Sequence, residues 1–255
     1  MSTRDRAIMG NPCWIDLMST DVEAARAFYG ELFSWEAGEA SDEFGGYFMF
    51  TRDTVAIAGA MPIEPGGPIP DVWSTYLAVP DAAAALARAE AAGATVAAPV
   101  VQIADLGAMA VLIDPVGAAI GVWQPIQFQG FGVVDEVRAP RWFELHARDY
   151  DRAVAFYRET FSWDTKAMRG QADGRYATAT NGEQAFAGLM DASGQLPDGV
   201  PSYWLVYFGV ESVDESLAIV VARGGTVLSP ATDTPFGRLA GVADPTGAMF
   251  TILQS

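Results

Sequence analysis

The sequence predicts an α+β protein that consists of two similar domains in tandem, each built from two βαβββ units. The first observation behind this prediction is a long repeat: residues 12–37 recur without a gap at residues 140–165, and twelve of the 26 aligned positions are identical. The second is that alternating and helical apolar patterns follow each copy in the same order. The third is a turn of the form Asp-Pro-x-Gly near the end of each half. A repeat of this length corresponds to a whole domain, so we interpret the chain as a duplication.

Each half is expected to begin with a strand that groups aromatic and polar side chains on one face. Residues alternate between the two faces of a strand. The shared faces carry Trp14, Asp16 and Met18 in the first copy, and Trp142, Glu144 and His146 in the second. Both faces therefore offer a tryptophan and a carboxylate, and the second also offers an imidazole.

A helix is expected to follow each of these strands. Asp21 and Asp149 precede the helical patterns, where a carboxylate can accept hydrogen bonds from the free amides of the first turn. Apolar residues then recur at helical spacing: Ala25, Phe28, Tyr29 and Leu32 in the first half, and Ala153, Phe156 and Tyr157 in the second. Such a stripe packs one face of the helix on a sheet.

The remainder of each half predicts further strands, one more helix and a closing hairpin. The predicted strands are 46–52, 55–61, 72–79 and 118–124, matched by 174–180, 184–190, 202–210 and 248–254. The predicted helices are 81–92 and about 213–223. Gly93 and Gly224 follow these helices, where a left-handed residue ends a helix well. The closing turns begin at Asp114 and Asp244, with proline second and glycine fourth, as type I turns prefer.

The domain limits follow from this order of elements. We predict the first domain at residues 9–127 and the second at residues 135–255, with the linker within residues 125–139. The stretches 62–71 and 196–201 are rich in proline and glycine and are expected to be the loops inside each domain.

Composition excludes several classes of partner. The net charge is −17, from 32 acidic and 15 basic residues, and such a surface repels nucleic acids and anionic membranes. Cys13 is the single cysteine and cannot form an internal disulfide bond, which favours a reducing compartment. The sequence has no run of apolar residues as long as a signal peptide or a membrane span, so we expect a cytoplasmic protein.

Three motifs that occur in both halves resemble the vicinal oxygen chelate superfamily, which includes glyoxalases, bleomycin resistance proteins and extradiol dioxygenases. One is D-x-x-x-A-x-x-F-Y followed by F-S-W, at 21–35 and 149–163. The others are a helix that ends in A-x-G-x-T-V, at 91–96 and in altered form at 222–227, and the D-P-x-G-A hairpin. The likeness is strongest to tandem glyoxalase-like proteins, which are often labelled hydroxylases. It implies that each domain folds its two modules into a half-open barrel around a cup, and that the cup is the site.

The resemblance also implies a divalent metal in the cup, held by His, Glu or Gln side chains. The three positions that the family uses carry other residues in both halves: Trp14 and Trp142, Ser74 and Leu205, and Gly121 and Thr251. We therefore predict no metal ligands at these positions and no cofactor. A substitute site is left open, because Glu144 and His146, which is the only histidine, could share a metal or act as a proton-transfer pair.

Aromatic residues are the other candidates for the cup. The predicted ligand-binding residues are Trp14, Asp16, Tyr76 and Trp123 in the first half, and Trp142, Trp204, Tyr207 and Arg238 in the second. Aromatic walls with a carboxylate suit a planar or cationic small molecule. The alternative is that these rings fill the barrel as core.

Two hypotheses for the function remain open at this stage. One is a glyoxalase-like lyase or isomerase that acts on ketoaldehyde hemithioacetals, with Glu144 as the base and His146 assisting. The other is a metal-free protein that binds a drug or metabolite, as bleomycin resistance proteins do. In either case the expected partner is a small molecule bound by a monomer or homodimer, and His146 favours the second cup as the site.

Overall fold

The structure is a computed structural model that describes residues 5–168 and 175–254. Its elements repeat in the same order in both halves. The first half contains β1 (Pro12–Ser19), α1 (Val22–Phe33), β2 (Glu36–Ala37), β3 (Phe48–Arg52), β4 (Val55–Pro62), β5 (Val72–Ala78), α2 (Ala82–Ala91), β6 (Thr95–Ile103), β7 (Gly107–Ile113) and β8 (Ala119–Pro125). The second contains β9 (Pro140–Ala147), α3 (Tyr150–Phe161), β10 (Asp164–Met168), β11 (Tyr176–Asn181), β12 (Gln184–Asp191), β13 (Tyr203–Gly209), α4 (Val213–Ala222), β14 (Thr226–Thr234), β15 (Gly237–Ala243) and β16 (Met249–Gln254).

Each half forms one eight-stranded sheet of identical topology. The strand orders are β2-β3-β4-β1-β5-β8-β7-β6 and β10-β11-β12-β9-β13-β16-β15-β14. The first strand of each domain pairs in parallel with the fourth and antiparallel with the fifth, which joins the two βαβββ modules. The predicted α+β fold with two tandem domains is confirmed. The sheets curl around a cup but do not close, as the half-open barrel requires.

The local signals at the helix ends are also confirmed. Asp21 and Asp149 are N-caps whose carboxylates accept hydrogen bonds from Ala24 and Arg152 amides. The sequence predicts no limits for the short strands β2 and β10. Residue 174, where the sequence places the start of the strand now seen as β11, lies outside the described residues, as does residue 255. The limits 9–127 and 135–255 stay predictions.

The two domains pack through the faces of their sheets that carry the helices. The core strands β5 and β13 contact each other, and helix pairs α1–α4 and α2–α3 also meet across this interface. Phe208 of the second domain lies 5.1 Å from Phe33 and 5.4 Å from Trp73 of the first, measured between ring centroids. The cups therefore lie on the outer faces of the molecule.

Two buried hydrogen bonds, one donated by each domain, join the domains across this interface. The Tyr29 hydroxyl donates to Asp244 Oδ2 at 3.0 Å and accepts from Trp73 Nε1 at 2.9 Å. The equivalent Tyr157 hydroxyl donates to Asp114 Oδ2 at 2.8 Å and accepts from Trp204 Nε1 at 2.8 Å. Each helix tyrosine thus contacts the hairpin aspartate of the other domain.

The hairpin aspartates serve the turn and the interface at once. Asp114 Oδ1 accepts hydrogen bonds from the amides of Val116 and Ala118. Asp244 Oδ1 accepts from the amides of Thr246 and Ala248. Burial raises the pKa of the Asp114 carboxyl, and these hydrogen bonds offset part of that rise. The Asp-Pro-x-Gly repeat therefore encodes contact between the domains as well as a turn.

We predict that Tyr29→Phe and Tyr157→Phe each lower the free energy of unfolding by about 1–3 kcal/mol, because each leaves a buried indole N–H and a carboxylate oxygen without a partner. Urea unfolding followed by circular dichroism measures the change. Tyr203→Phe is the control, and its effect is expected to stay within about 0.5 kcal/mol. Equal effects of all three substitutions would contradict the account.

Candidate functional site

The cup of the second domain is centred on Glu144. Strand alternation places Trp142, Glu144 and His146 of β9 on the outer face, as the sequence predicts. In the sheet register Glu144 lies between Gly188 of β12 and Leu205 of β13. Glu144 is 7% exposed. The carboxylate is therefore buried at the floor of the cup.

Two tyrosine hydroxyls hold the Glu144 carboxylate. Tyr176 donates to Oε2 at 2.6 Å and Tyr207 donates to Oε1 at 2.7 Å. The Tyr176 hydroxyl in turn accepts from Trp142 Nε1 at 3.0 Å. These charge-assisted bonds fix both rings against the floor of the cup.

His146 provides the one imidazole of the cup. Its Nε2 lies 3.0 Å from Glu144 Oε1, within ion-pair distance. This nitrogen is buried and has no well-aligned hydrogen-bond partner, and the Glu144 carboxylate is the polar group beside it. The ring stacks on Tyr203, with centroids 4.8 Å apart and an angle of 18° between the planes. The carboxylate and Tyr203 together orient the imidazole.

The surroundings of Glu144 favour its charged form. Burial by itself raises the pKa of this carboxyl. The neighbouring His146 and the two tyrosine hydroxyls outweigh burial and hold the pKa below its ordinary value. Glu144 is thus a weak base whose oxygens already have partners.

The first cup repeats the arrangement without the imidazole. Asp16 Oδ1 accepts hydrogen bonds from Trp14 Nε1 and from the Tyr47 hydroxyl, both at 2.9 Å. The Tyr76 hydroxyl also interacts with this carboxylate. Met18 stands where the second cup has His146. Burial raises the pKa of Asp16 to about 6, although the three side-chain donors oppose the rise.

Sequence reasoning missed Tyr203, and it also missed the equivalent tyrosines of the two cups, Tyr47 and Tyr176. Each stands two residues after a glycine, in Gly-Gly-Tyr at 45–47 and Gly-Arg-Tyr at 174–176. Alignment of the repeat beyond its most similar segment would have paired them. A second shared signal is Gly59 and Gly188, where a Cβ atom would overlap the tyrosine hydroxyl of the same cup.

The linker between the domains covers the first cup. The Phe128 ring meets Trp14 edge to face, with centroids 4.7 Å apart, and its carbonyl accepts from Trp123 Nε1 at 2.9 Å. Phe131 lies 5.6 Å from Trp14. As a result Trp14 and Trp123 are buried, whereas Trp142 of the second cup is only half-buried. Within the part of the chain that the structure describes, no segment covers Trp142 in this way.

The remaining predicted residues fall in different places. Tyr76 and Tyr207 lie in the cups against the carboxylates, and Trp123 lies on the cup face beneath Phe128. Trp204 lies on the opposite face of β13, bonded to Tyr157 and packed edge to face on Trp163. The alternation of β13 separates it from Tyr207, so the expected grouping of these two residues in one cup does not occur.

Arg238 also lies away from the cup. Its guanidinium donates to Asp214 of α4 at 2.9 Å and to Asp233 of β14 at 3.1 Å. These partners hold the side chain on the helix side of the sheet. The second cup therefore does not receive this positive charge.

The side chains of the cups do not match a divalent metal. At the positions that the family uses, the second cup has the indole of Trp142, the alkyl chain of Leu205 and the hydroxyl of Thr251. Glu144 and His146 are two adjacent donors, but no third His, Cys, Asp or Glu joins them among the described residues. In the first cup the Tyr76 ring occupies the space above Gly121, where a Cβ would overlap it.

Comparison with known proteins identifies the family. The model of the glyoxalase/bleomycin resistance protein/dioxygenase superfamily matches residues 13–122 and 140–252. The chain belongs to this superfamily. Its two matches coincide with the two sheets, which agrees with the resemblance seen in the sequence.

Relatives of similar length are known in actinobacteria. The chain is 36% identical over 259 residues to a protein of Mycobacterium tuberculosis named "Putative glyoxylase CFP32", covering 100% of this chain and 98% of the relative. It is 34% identical over 262 residues to the "Anthracycline biosynthesis protein DauV" of Streptomyces sp. strain C5, covering 96% and 93%.

Solved structures share the fold at low sequence identity. The Mn(II)-bound glyoxalase from Novosphingobium aromaticivorans has a TM-score of 0.65 and 17% identity, over 96% of this chain and 82% of that one. The 2,3-dioxygenase LapB from Pseudomonas sp. KL28 has a TM-score of 0.67 and 13% identity, over 98% and 93%. In the described part of this chain, no helix is long and apolar enough to span a membrane.

The two carboxylates are expected to give opposite dependences of stability on pH. The pKa of Asp16 is raised, so the folded state binds this proton more tightly than the unfolded state does. As the pH rises from about 4 to about 7, the wild type is therefore expected to lose about 3 kcal/mol of stability relative to Asp16→Asn. Glu144 has a lowered pKa, so its stabilising effect is present above its ordinary pKa of 4.5 and is lost as the pH falls through its lower, folded-state pKa. The wild type therefore gains stability relative to Glu144→Gln as the pH rises.

Urea unfolding of the wild type and both variants, at intervals of about one pH unit, tests these slopes. Asp16→Asn and Glu144→Gln serve as each other's matched control, because only the differences in slope matter. Slopes of the same sign for the two variants would show that the electrostatic contrast between the cups is wrong.

Proposed function

We propose that the second cup binds a planar aromatic small molecule that is neutral or positively charged, without a resident metal. The observation that carries the proposal is the cluster of Glu144, Tyr176 and Tyr207 at the floor of a half-exposed aromatic wall. The first cup holds the same kind of cluster, but the linker covers it. The second cup is therefore the one that a ligand can reach.

The wall of the cup suits a flat ring system. Trp142 and Tyr203 are half-buried and present their rings beside the carboxylate cluster. Aromatic pairs stabilise complexes by about 0.5–1.5 kcal/mol beyond the burial of area. Trp142 and Tyr203 lie on the same face of the sheet on either side of Glu144, so a flat ligand across the floor of the cup lies between the two rings.

The floor of the cup selects the charge of the ligand. Glu144 keeps its negative charge because His146 and two hydroxyls stabilise it. Arg238, the one basic residue predicted for this cup, is bound to Asp214 and Asp233 instead. A cationic or hydroxylated ring gains from the carboxylate cluster, whereas an anionic ligand is repelled.

The names of two relatives agree with this class of ligand. They are anthracycline biosynthesis proteins of Streptomyces, 33–34% identical to this chain. Anthracyclines contain fused planar rings, which match the aromatic wall in shape. The superfamily name also includes bleomycin resistance proteins.

Binding of 2-naphthol, measured by isothermal titration calorimetry on metal-stripped protein, tests the proposal. We expect binding by the wild type and an affinity at least about fivefold lower for Tyr203→Ala, because the ring that stacks on His146 is lost. Val72→Ala is the matched control, since Val72 opposes Met18 in the first cup as Tyr203 opposes His146 in the second. An absence of binding, or binding only after metal is added, would reject the proposal.

A second candidate function is a metal-independent lyase or isomerase that acts on ketoaldehyde hemithioacetals. The 3.0 Å contact between His146 Nε2 and Glu144 Oε1 favours it, because a carboxylate that orients an imidazole is a common proton-transfer pair. The roles expected from the sequence would then be exchanged. Glu144 has its oxygens engaged and a lowered pKa, so it positions His146, and the imidazole moves the proton.

Turnover of methylglyoxal with an uncharged thiol, in the presence of a chelator, tests this candidate. His146→Met installs the residue of the first cup and is expected to abolish turnover, while circular dichroism confirms that the variant folds. Glu144→Gln is expected to lower kcat more than it changes KM, because it disturbs the position of the imidazole. Turnover that is unaffected by His146→Met would eliminate the candidate.

A further inference from the structure

A slot beside the first cup is filled by the linker. The amide of Phe131 donates to the carbonyl of Cys13 at 2.8 Å, and the amide of Gly132 donates to the carbonyl of Ala56 at 3.0 Å. The linker thereby enters the space between the starts of β1 and β4. Phe131 is 3% exposed and packs against Trp14.

Glycines on both sides of Phe131 allow this close approach. A Cβ at Gly130 would overlap the carbonyl of Cys13, and a Cβ at Gly132 would overlap the Val55 side chain. The linker is therefore shaped to place one aromatic ring in this slot.

The duplication places an equivalent slot in the second domain, and among the residues that the structure describes no aromatic ring fills it. The residues that surround Phe131 and Gly132 in the first domain are Cys13, Trp14, Val55 and Ala56, and their counterparts by strand register are Arg141, Trp142, Gln184 and Ala185. These four counterparts line a cavity of about 150 Å³ together with Phe143 and Phe186 of the second domain. The rest of the lining comes from the start of β1, the linker and the start of β9, at Pro12, Val134, Asp135 and Pro140. Trp142 belongs to both this cavity and the second cup.

We propose that this cavity is the seat of one aryl ring of the ligand that the second cup binds. The proposal rests on the proposed function and adds a subsite to it. A cavity of about 150 Å³ accommodates a single benzene-sized ring. In the first domain the Phe131 ring packs against Trp14, the counterpart of Trp142, and it also lies 5.8 Å from Phe143 of the cavity lining, so the protein itself supplies an example of an aromatic ring beside this tryptophan.

Trp142 borders both the cavity and the second cup, so one ligand can contact both of them. Trp14 contacts Phe131 in its slot and donates to Asp16 in its cup. Trp142 stands in the same relation to the cavity and to the Glu144 cluster, through Tyr176. A pair of rings linked by a rotatable bond, as in 4-phenylphenol, would place one ring in the cavity and the other on the cup side of Trp142.

The charges at the cavity are compatible with a neutral ring. Arg141, which lines the cavity, is paired with Asp135 at 3.3 Å. Asp135 itself is also part of the lining, and the other eight residues are Gln184 and seven apolar residues. A neutral ring can therefore enter without separating a buried charge from its partner.

The test is to fill the cavity from the linker and to measure by calorimetry the affinity for 4-phenylphenol, whose two linked rings can occupy the cavity and the cup together. Val134 lines the cavity. We expect Val134→Phe to weaken binding at least about tenfold, because the phenylalanine ring occupies the cavity in place of the ligand ring. Val134→Ala, at the same position, is expected to bind as tightly as the wild type or more tightly. Thermal unfolding checks that both variants fold, and Ala185→Phe is the second filling variant.

The outcomes separate this inference from the proposed function. If the wild type binds 2-naphthol and Tyr203→Ala weakens that binding, while Val134→Phe and Ala185→Phe bind 4-phenylphenol like the wild type, the subsite is wrong and the proposed function stands. If the wild type does not bind 2-naphthol, the proposed function fails and the subsite fails with it.

Discussion

Two buried hydrogen bonds, each between a helix tyrosine of one domain and a hairpin aspartate of the other, hold the two domains together. The positions of both cups follow from this packing. Tyr29 bonds to Asp244 and Tyr157 bonds to Asp114, each inside an aromatic core. A buried carboxylate oxygen without a partner is costly, so each domain depends on the other to complete the hydrogen bonding of its hairpin aspartate. The bonds hold the helix faces together and leave the two cups on opposite outer faces.

This arrangement makes two similar cups unequal. The chain must pass from β8 to β9, and its path takes Phe128 and Phe131 across Trp14 of the first cup. The second cup has the same carboxylate and tyrosines but a half-exposed tryptophan. It also has His146, which lowers the pKa of Glu144, whereas burial raises the pKa of Asp16 in the first cup. A duplicated scaffold has thus produced one cup that the linker closes and one that stays open and charged.

Much of the fold could be predicted from the sequence, because the repeat and the strand alternation are local signals. The same alternation correctly grouped Trp142, Glu144 and His146. The prediction that Trp204 faces the cup was wrong. Trp204 is next to Leu205 and three residues before Tyr207, so its side chain lies on the opposite face of β13. The roles of Asp114 and Asp244 between the domains could not be predicted, since their partners are distant in sequence and the turn alone explains their presence.

The site could be predicted only in part, because several of its contacts also join residues that are distant in sequence. Tyr47 immediately precedes β3 and Tyr176 begins β11, in segments of weak similarity, and only the folded sheet brings their hydroxyls to the carboxylates. The cover formed by Phe128 depends on the path of the linker, which no local pattern encodes. Arg238 was expected to face the second cup, but its guanidinium is bound to Asp214 and Asp233 instead.

The central claim is that the open cup of the second domain binds an aromatic ligand while the linker occupies the first. A crystal structure of the metal-stripped protein grown with 2-naphthol tests this claim most directly. The account predicts electron density for the compound against Trp142 and Tyr203, with Phe128 still seated on Trp14. Density for the compound in the first cup with Phe128 displaced, and none beside Glu144, would contradict it.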